Sequence, residues 1–187
     1  MYRHPRLIPT QNDLARRVFY DVVRPYPDFP KPGIVFQDVF PMFQEPKLVK
    51  QLVATLDTFV REKFGSVDVI VGLDSRGFLF GPMLAASLGV KFVPVRKKGK
   101  LPGETITVSF EKEYGTDSFE VQADSIPAGA RVFIVDDLLA TGGSMNAGVL
   151  VTEKAGGSVV GCFTIVELAG LDGANAVLAP CYSLLRL

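Results

Sequence analysis

The chain has one histidine, His4, and two cysteines, Cys162 and Cys181, among 187 residues. A lone imidazole in a loose N-terminal segment leaves none for a histidine-based triad or a His-rich metal centre. Two cysteines outside any CxxC pair are too few for a disulfide framework. Cys162 lies in an apolar run where a buried thiol is expected, so a reducing, cytoplasmic setting is the expectation. No sign of charge dominates either: 20 basic and 20 acidic side chains cancel, with a pI near 6.6. That balance argues against a non-specific nucleic-acid binder or a polybasic membrane binder. The opening MYRHPRLIPT has no apolar stretch of the roughly 7–15 residues a secretory leader needs. The uncharged window 77–90 is 14 residues long and broken by Pro82, whereas a membrane-crossing helix needs about 20. Neither the P-loop pattern GxxxxGK with Ser or Thr nor GxGxxG occurs, so neither a Walker-type nor a Rossmann fingerprint is present.

What is present fits one domain by length, long enough to bury a core without staples. We read 1–187 as that domain. Eighteen glycines and thirteen prolines exceed the usual share and predict short elements joined by tight turns. Thr10 with Asp13 three residues on resembles a helix start, followed by Leu14, Val18 and Val22. Pro25, Pro27, Pro30 and Pro32 must end that helix and make a proline-stiffened loop. Leu48, Leu52, Leu56, Val60 and Phe64 mark an amphipathic helix stopped at Gly65. Strand, helix and strand then alternate: a buried strand at 67–73, a helix at 76–88, a strand at 91–95 and a polar two-stranded ribbon at 105–124. A second buried strand at 131–136 leads through a Gly-Gly turn into a helix to about 155, and a third strand covers 158–168. YSLLRL reads as a final strand. The order predicts an α/β fold with a central, mainly parallel sheet flanked by helices.

Ligands in such sheets sit beyond the carboxyl ends of the strands. The run after the central strand, VDDLLATGGS, places Asp136 and Asp137 at the end of an apolar strand, where each needs compensation. Thr141, Gly142, Gly143 and Ser144 follow at a helix entrance, a cradle of backbone N–H groups for a phosphate dianion. Acids cannot serve that phosphate, so they accept from sugar hydroxyls or hold a metal ion. The combination reads as a ribose 5-phosphate grip.

This run resembles, without a gap, the phosphoribosyl diphosphate motif of the type I phosphoribosyltransferases. FPKPGIVFQD, GLDSRGFLFGP, VRKKGKLPGE and EKEYG resemble the adenine-using members, so the likeness spans about 25–168. It implies the fold of that family, with an N-terminal hood at about 25–43 and a flexible β-ribbon loop at about 98–118. It also implies a pentosyl-transferring enzyme of purine salvage that moves the 5-phosphoribosyl group of phosphoribosyl diphosphate to adenine, giving AMP and diphosphate. The ribose 5-phosphate would be bound by Asp136, Asp137, Ala140, Thr141, Gly142, Gly143 and Ser144. The diphosphate would be met by Asp74, Ser75, Arg76, Arg96, Lys97 and Lys100, with a non-proline cis peptide at Asp74–Ser75.

Adenine would lie under the hood against Val35, Phe36 and Gln37, and against Leu138. Gln37 stands where many relatives carry arginine. Phe36 offers a stacking face, and the Val35 backbone C=O and N–H match adenine's amino donor and N1 acceptor. Glu113, beside the loop residue Tyr114, would be the catalytic carboxylate at the imidazole edge; Glu111 would share its strand face. Mg²⁺ would be carried mainly on substrate oxygens, with no dedicated protein cage. The resemblance further implies a homodimer, and no nucleic-acid or membrane partner. Transfer to another base, or a ligand sensor built on the same fold, are the competing readings.

Overall fold

A computed structural model describes residues 6–9, 13–112 and 115–187. In chain order its elements are β1 (Arg6–Leu7), α1 (Asp13–Tyr20), β2 (Arg24–Pro27), β3 (Val35–Asp38), α2 (Phe40–Phe43) and α3 (Pro46–Phe64). There follow β4 (Val69–Leu73), α4 (Gly81–Leu88), β5 (Lys91–Lys97), β6 (Thr105–Lys112) and β7 (Gly115–Gln122). The last are β8 (Arg131–Leu139), α5 (Gly143–Lys154), β9 (Ser158–Glu167) and β10 (Cys181–Arg186).

The continuous apolar runs became β4, β8 and β9 because both faces of those strands are covered. They lie in one sheet of order β1-β10-β9-β8-β4-β5-β7-β6. Pairing is parallel from β1 to β5 and antiparallel where β7 meets β5 and β6. On one face Leu52, Leu56, Phe59 and Val60 of α3 cover Ile70, Phe133, Val135, Phe163 and Leu184. On the other, Ala147, Val149 and Val151 of α5 cover Val71, Val132, Ile134 and Cys162. Each Val, Leu, Ile or Phe among them, fully withdrawn from water, contributes about 1.5–3 kcal/mol. The α3 stripe ends where the sequence predicts, at Gly65 with φ 72°.

Three local expectations change. The stretch 76–88 is not one helix: a 3₁₀ turn spans Arg76–Leu79 and α4 begins only at Gly81. Gly77 is pressed so close to β8 that a Cβ there would stand 2.5 Å from the Val135 carbonyl oxygen. The chain hugs the sheet there before it turns out at Phe80. The proline-stiffened segment is not all loop, since β2 and β3 pair antiparallel as a small separate sheet. Finally, β8 does not end at its acids. It runs on to Leu139, because β9 continues the ladder with Asp136 opposite Thr164 and Leu138 opposite Val166.

Candidate active site

The carboxyl ends of β4, β5 and β8 open on one cleft of about 330 Å³. Asp74, Ser75 and Arg76 line it from the turn after β4, and Lys97 from the end of β5. Asp136, Asp137, Leu138, Ala140, Thr141, Gly142 and Ser144 line it from β8 and the entrance of α5. Gly143 is the first residue of α5.

The β8–α5 connection is built to bring backbone close to a ligand. Gly142 has φ 86°, a left-handed conformation that disfavours any side chain. A Cβ there would also collide with the Gly173 carbonyl oxygen of the turn after β9. Beyond it α5 begins with its first N–H groups unclaimed by the helix itself, the arrangement that favours a phosphate.

The two acids are held differently. Asp137 is 2% exposed and lies 2.9 Å from Arg76 Nε, an ion pair rather than an aligned hydrogen bond. Burial pushes its carboxyl above the usual range, and the Arg76 charge pulls back against that rise. Asp136 accepts the Asp137 backbone N–H at 2.9 Å. Its carboxyl is driven well above the usual range, first by desolvation and then by the neighbouring Asp137 charge. Two acids crowded in this way gain from any ligand that supplies hydroxyl donors or positive charge.

The peptide between Asp74 and Ser75 is cis, as the resemblance implies. The Asp74 carboxylate receives Arg96 Nε at 3.1 Å. Arg96 thus stands behind the turn that lines the cleft, and its Nη1 donates to the Lys100 carbonyl at 3.1 Å. Arg76 has a second neighbour, the Phe36 ring, with its guanidinium carbon 5.2 Å from the centroid. That contact brings the β2–β3 arm to the cleft, where Phe29 meets Phe36 edge-on at 5.2 Å.

Val35 is 49% exposed. Its register partner is Pro27 and that of Gln37 is Pro25, and neither proline has an N–H to give. Ladder bonds of this arm therefore run through Arg24 and Tyr26, which turns the Val35 backbone N–H and C=O to the free side of β3. Glu113 and Tyr114 lie outside the described residues. Among the described residues no group of three or more His, Cys, Asp or Glu is placed to hold a metal ion.

Sequence reasoning missed Phe119, Leu139 and Met145, which also line the cleft. It missed Glu120 as well, a charged residue only 3% exposed. The alternation in FEVQ marks Glu120 for the polar side of the ribbon. Nothing local shows that the turn after β5 folds over it.

A cleft at the carboxyl edge of a parallel sheet, floored by an acid pair beside a phosphate cradle, is the site of a phosphoribosyl-transferring enzyme. A profile of the phosphoribosyl transferase domain matches residues 42–186. The adenine phosphoribosyltransferase of Yarrowia lipolytica is 52% identical over 166 residues, covering 87% of this chain and 91% of that protein. That of Caenorhabditis elegans is 52% identical over 82% of this chain and 83% of its own. The chain therefore belongs to the adenine phosphoribosyltransferase family. The crystal structure of the Saccharomyces cerevisiae enzyme, complexed with an imino-altritol bisphosphate and adenine, superposes with a TM-score of 0.90. The two are 44% identical, and the match covers 92% of this chain and 99% of that one. The Trypanosoma brucei enzyme, in complex with AMP, pyrophosphate and ribose-5-phosphate, gives 0.84 at 28% identity over 95% and 82% of the two chains.

Proposed function

We propose that this chain transfers the 5-phosphoribosyl group of phosphoribosyl diphosphate to N9 of adenine, giving AMP and diphosphate. The observation that carries the reading is the crowded pair Asp136 and Asp137 beside the Gly142 cradle in one cleft. The 5-phosphate sits on the N–H groups at the start of α5, and the ribose hydroxyls donate to the acid pair. Lys97 and Lys100 meet the diphosphate, whose departing charge must be neutralised in the transition state, and Arg96 supports them from behind through Asp74 and the Lys100 carbonyl.

As the C1–oxygen bond to diphosphate breaks, C1 becomes oxocarbenium-like and the N9 lone pair forms the new bond. The imidazole-edge proton of adenine passes to a carboxylate, which we assign to Glu113, and its loss frees the electron pair with which N9 forms that bond. Mg²⁺ would arrive on the diphosphate and ribose oxygens, beside the crowded carboxyls of Asp136 and Asp137, and would supply charge neutralisation of the diphosphate. Adenine's amino group and N1 match the outward C=O and N–H of Val35, while a 6-oxopurine would leave both unpaired. Phe36, Gln37 and Leu138 complete that side of the cleft. We place the enzyme in solution as a homodimer, which sedimentation checks. No helix among the described residues is long and apolar enough to cross a membrane.

The test is turnover of phosphoribosyl diphosphate with Mg²⁺ and, in parallel, adenine, hypoxanthine, guanine and orotate. AMP alone is the expected product. Turnover with another base only would overturn the Val35 argument and leave the ribose grip standing. Glu113→Gln is expected to lower kcat at least about tenfold, with little change in either KM, as loss of a general base does. Equal turnover in that variant would remove Glu113 from the mechanism.

A further inference from the structure

The end of β5 and the turn that follows it carry the densest run of positive charge in the chain, Arg96, Lys97, Lys98 and Lys100. A diphosphate site needs such charge, but lysine side chains are long and flexible, so the backbone beneath them must be fixed. The turn projects past the end of β5 and includes Gly99 at φ 80°. Two charged residues directly opposite each other in the β5–β7 ladder, Arg96 and Glu120, take hold of it.

Glu120 Oε1 accepts the backbone N–H of Lys100 and that of Leu101, each at 2.9 Å. Its Oε2 lies 3.5 Å from Thr105 Oγ1. From the other side, Arg96 Nη1 donates to the Lys100 carbonyl. That carbonyl and the Leu101 N–H belong to a single peptide plane. The plane is gripped at both ends, its oxygen by the guanidinium and its hydrogen by the carboxylate. Arg96 spends its Nε on Asp74, so the same clamp is joined to the cis turn that lines the cleft. Burial pushes the Glu120 carboxyl up, yet the N–H donors of Leu101, Gly99 and Lys100 outweigh it and hold the group below its ordinary 4.5. It therefore stays ionised, and a strong acceptor, throughout the working pH range.

We propose that Glu120 is a positioning residue for phosphoribosyl diphosphate: by clamping the Lys100–Leu101 peptide against Arg96 it sets the lysine-bearing turn at the height of the diphosphate. Glu120 touches no substrate in this role. It acts through the backbone of residues 99–101, and through Arg96 on Asp74. The inference rests on the proposed transfer reaction and adds to it a residue that no resemblance assigned.

The experiment is steady-state kinetics of Glu120→Ala, Glu120→Asp and Glu120→Gln beside the unaltered chain, with each substrate varied in turn. Alanine removes the acceptor. Aspartate keeps the charge but withdraws it by one methylene, and glutamine keeps an acceptor oxygen in place. The alanine variant is expected to raise the KM for phosphoribosyl diphosphate about tenfold, equivalent to ~1.4 kcal/mol. The KM for adenine should stay within about twofold, and glutamine should restore most of the loss. A role confined to stability would lower the active fraction and leave both KM values alone. If alanine does not fold, aspartate decides, with a selective rise in the phosphoribosyl diphosphate KM expected there too. Unchanged KM values, or a parallel rise in both, overturn the proposal. Absence of turnover in the unaltered chain would instead overturn the reaction on which it rests.

Discussion

At the scale of single residues the cleft holds a conflict of charge. Burial and the Asp137 charge both oppose ionisation of Asp136, so the unliganded native state gives up stability at any pH above the range where the unfolded carboxyl titrates. The sign follows from linkage. A carboxyl raised above its unfolded value near 3.8 binds its proton more tightly when folded, so the penalty is absent below that value and complete above the raised one. Asp136→Asn is therefore expected to raise the Tm of the free protein at pH 7, by about 2–4 °C per kcal/mol relieved. The gain should shrink steadily as the pH is lowered toward 4. The same change should weaken binding of phosphoribosyl diphosphate at least about tenfold, since an amide cannot stand in for a carboxylate toward both hydroxyls and cation. Calorimetry across pH, with and without ligand, reads both effects. A lower Tm at neutral pH would show that Asp136 is a structural group instead.

At the scale of elements, the turn that enters α5 depends on backbone conformation more than on any side chain. Gly142→Ala places a Cβ on a left-handed residue and against the Gly173 carbonyl. Strain of this kind costs about 1–3 kcal/mol. Expected are a fall in Tm of several degrees and a phosphoribosyl diphosphate KM raised about tenfold or more, with adenine affinity less affected. Thermal melts and initial rates suffice to check it.

The element scale also shows what was legible. The strand and helix alternation, α3 to its closing glycine, and the motif after β8 could be read because each rests on local periodicity or on a contiguous run. The break between Arg76 and Gly81 could not, because it depends on how close Gly77 comes to Val135 in a strand nearly sixty residues away. The pairing of β2 with β3 was hidden for a related reason. Prolines at 25 and 27 read as breakers, yet at alternate positions they fall where the ladder asks for no N–H. Glu120 was illegible because its partners, the amides of Lys100 and Leu101, carry no side-chain signature at all.

At the scale of the whole molecule, a parallel sheet collects the ends of β4, β5 and β8 at one edge and gives the cleft its floor. The small β2–β3 sheet reaches it through Phe36 and Arg76, and the ribbon through Phe119. Parts distant in sequence therefore meet at contacts with no slack. The tightest joins two glycines: a Cβ at Gly142 would strike the Gly173 carbonyl, and one at Gly173 would strike the Ala140 carbonyl. Neither position can change first, because whichever side chain arrives must push the opposing backbone away. The two sites are thus locked against mutational drift as a pair. A lineage could leave this arrangement only by remaking both turns at once, which puts a stretch thirty residues beyond the phosphate motif under the same selection as the motif itself.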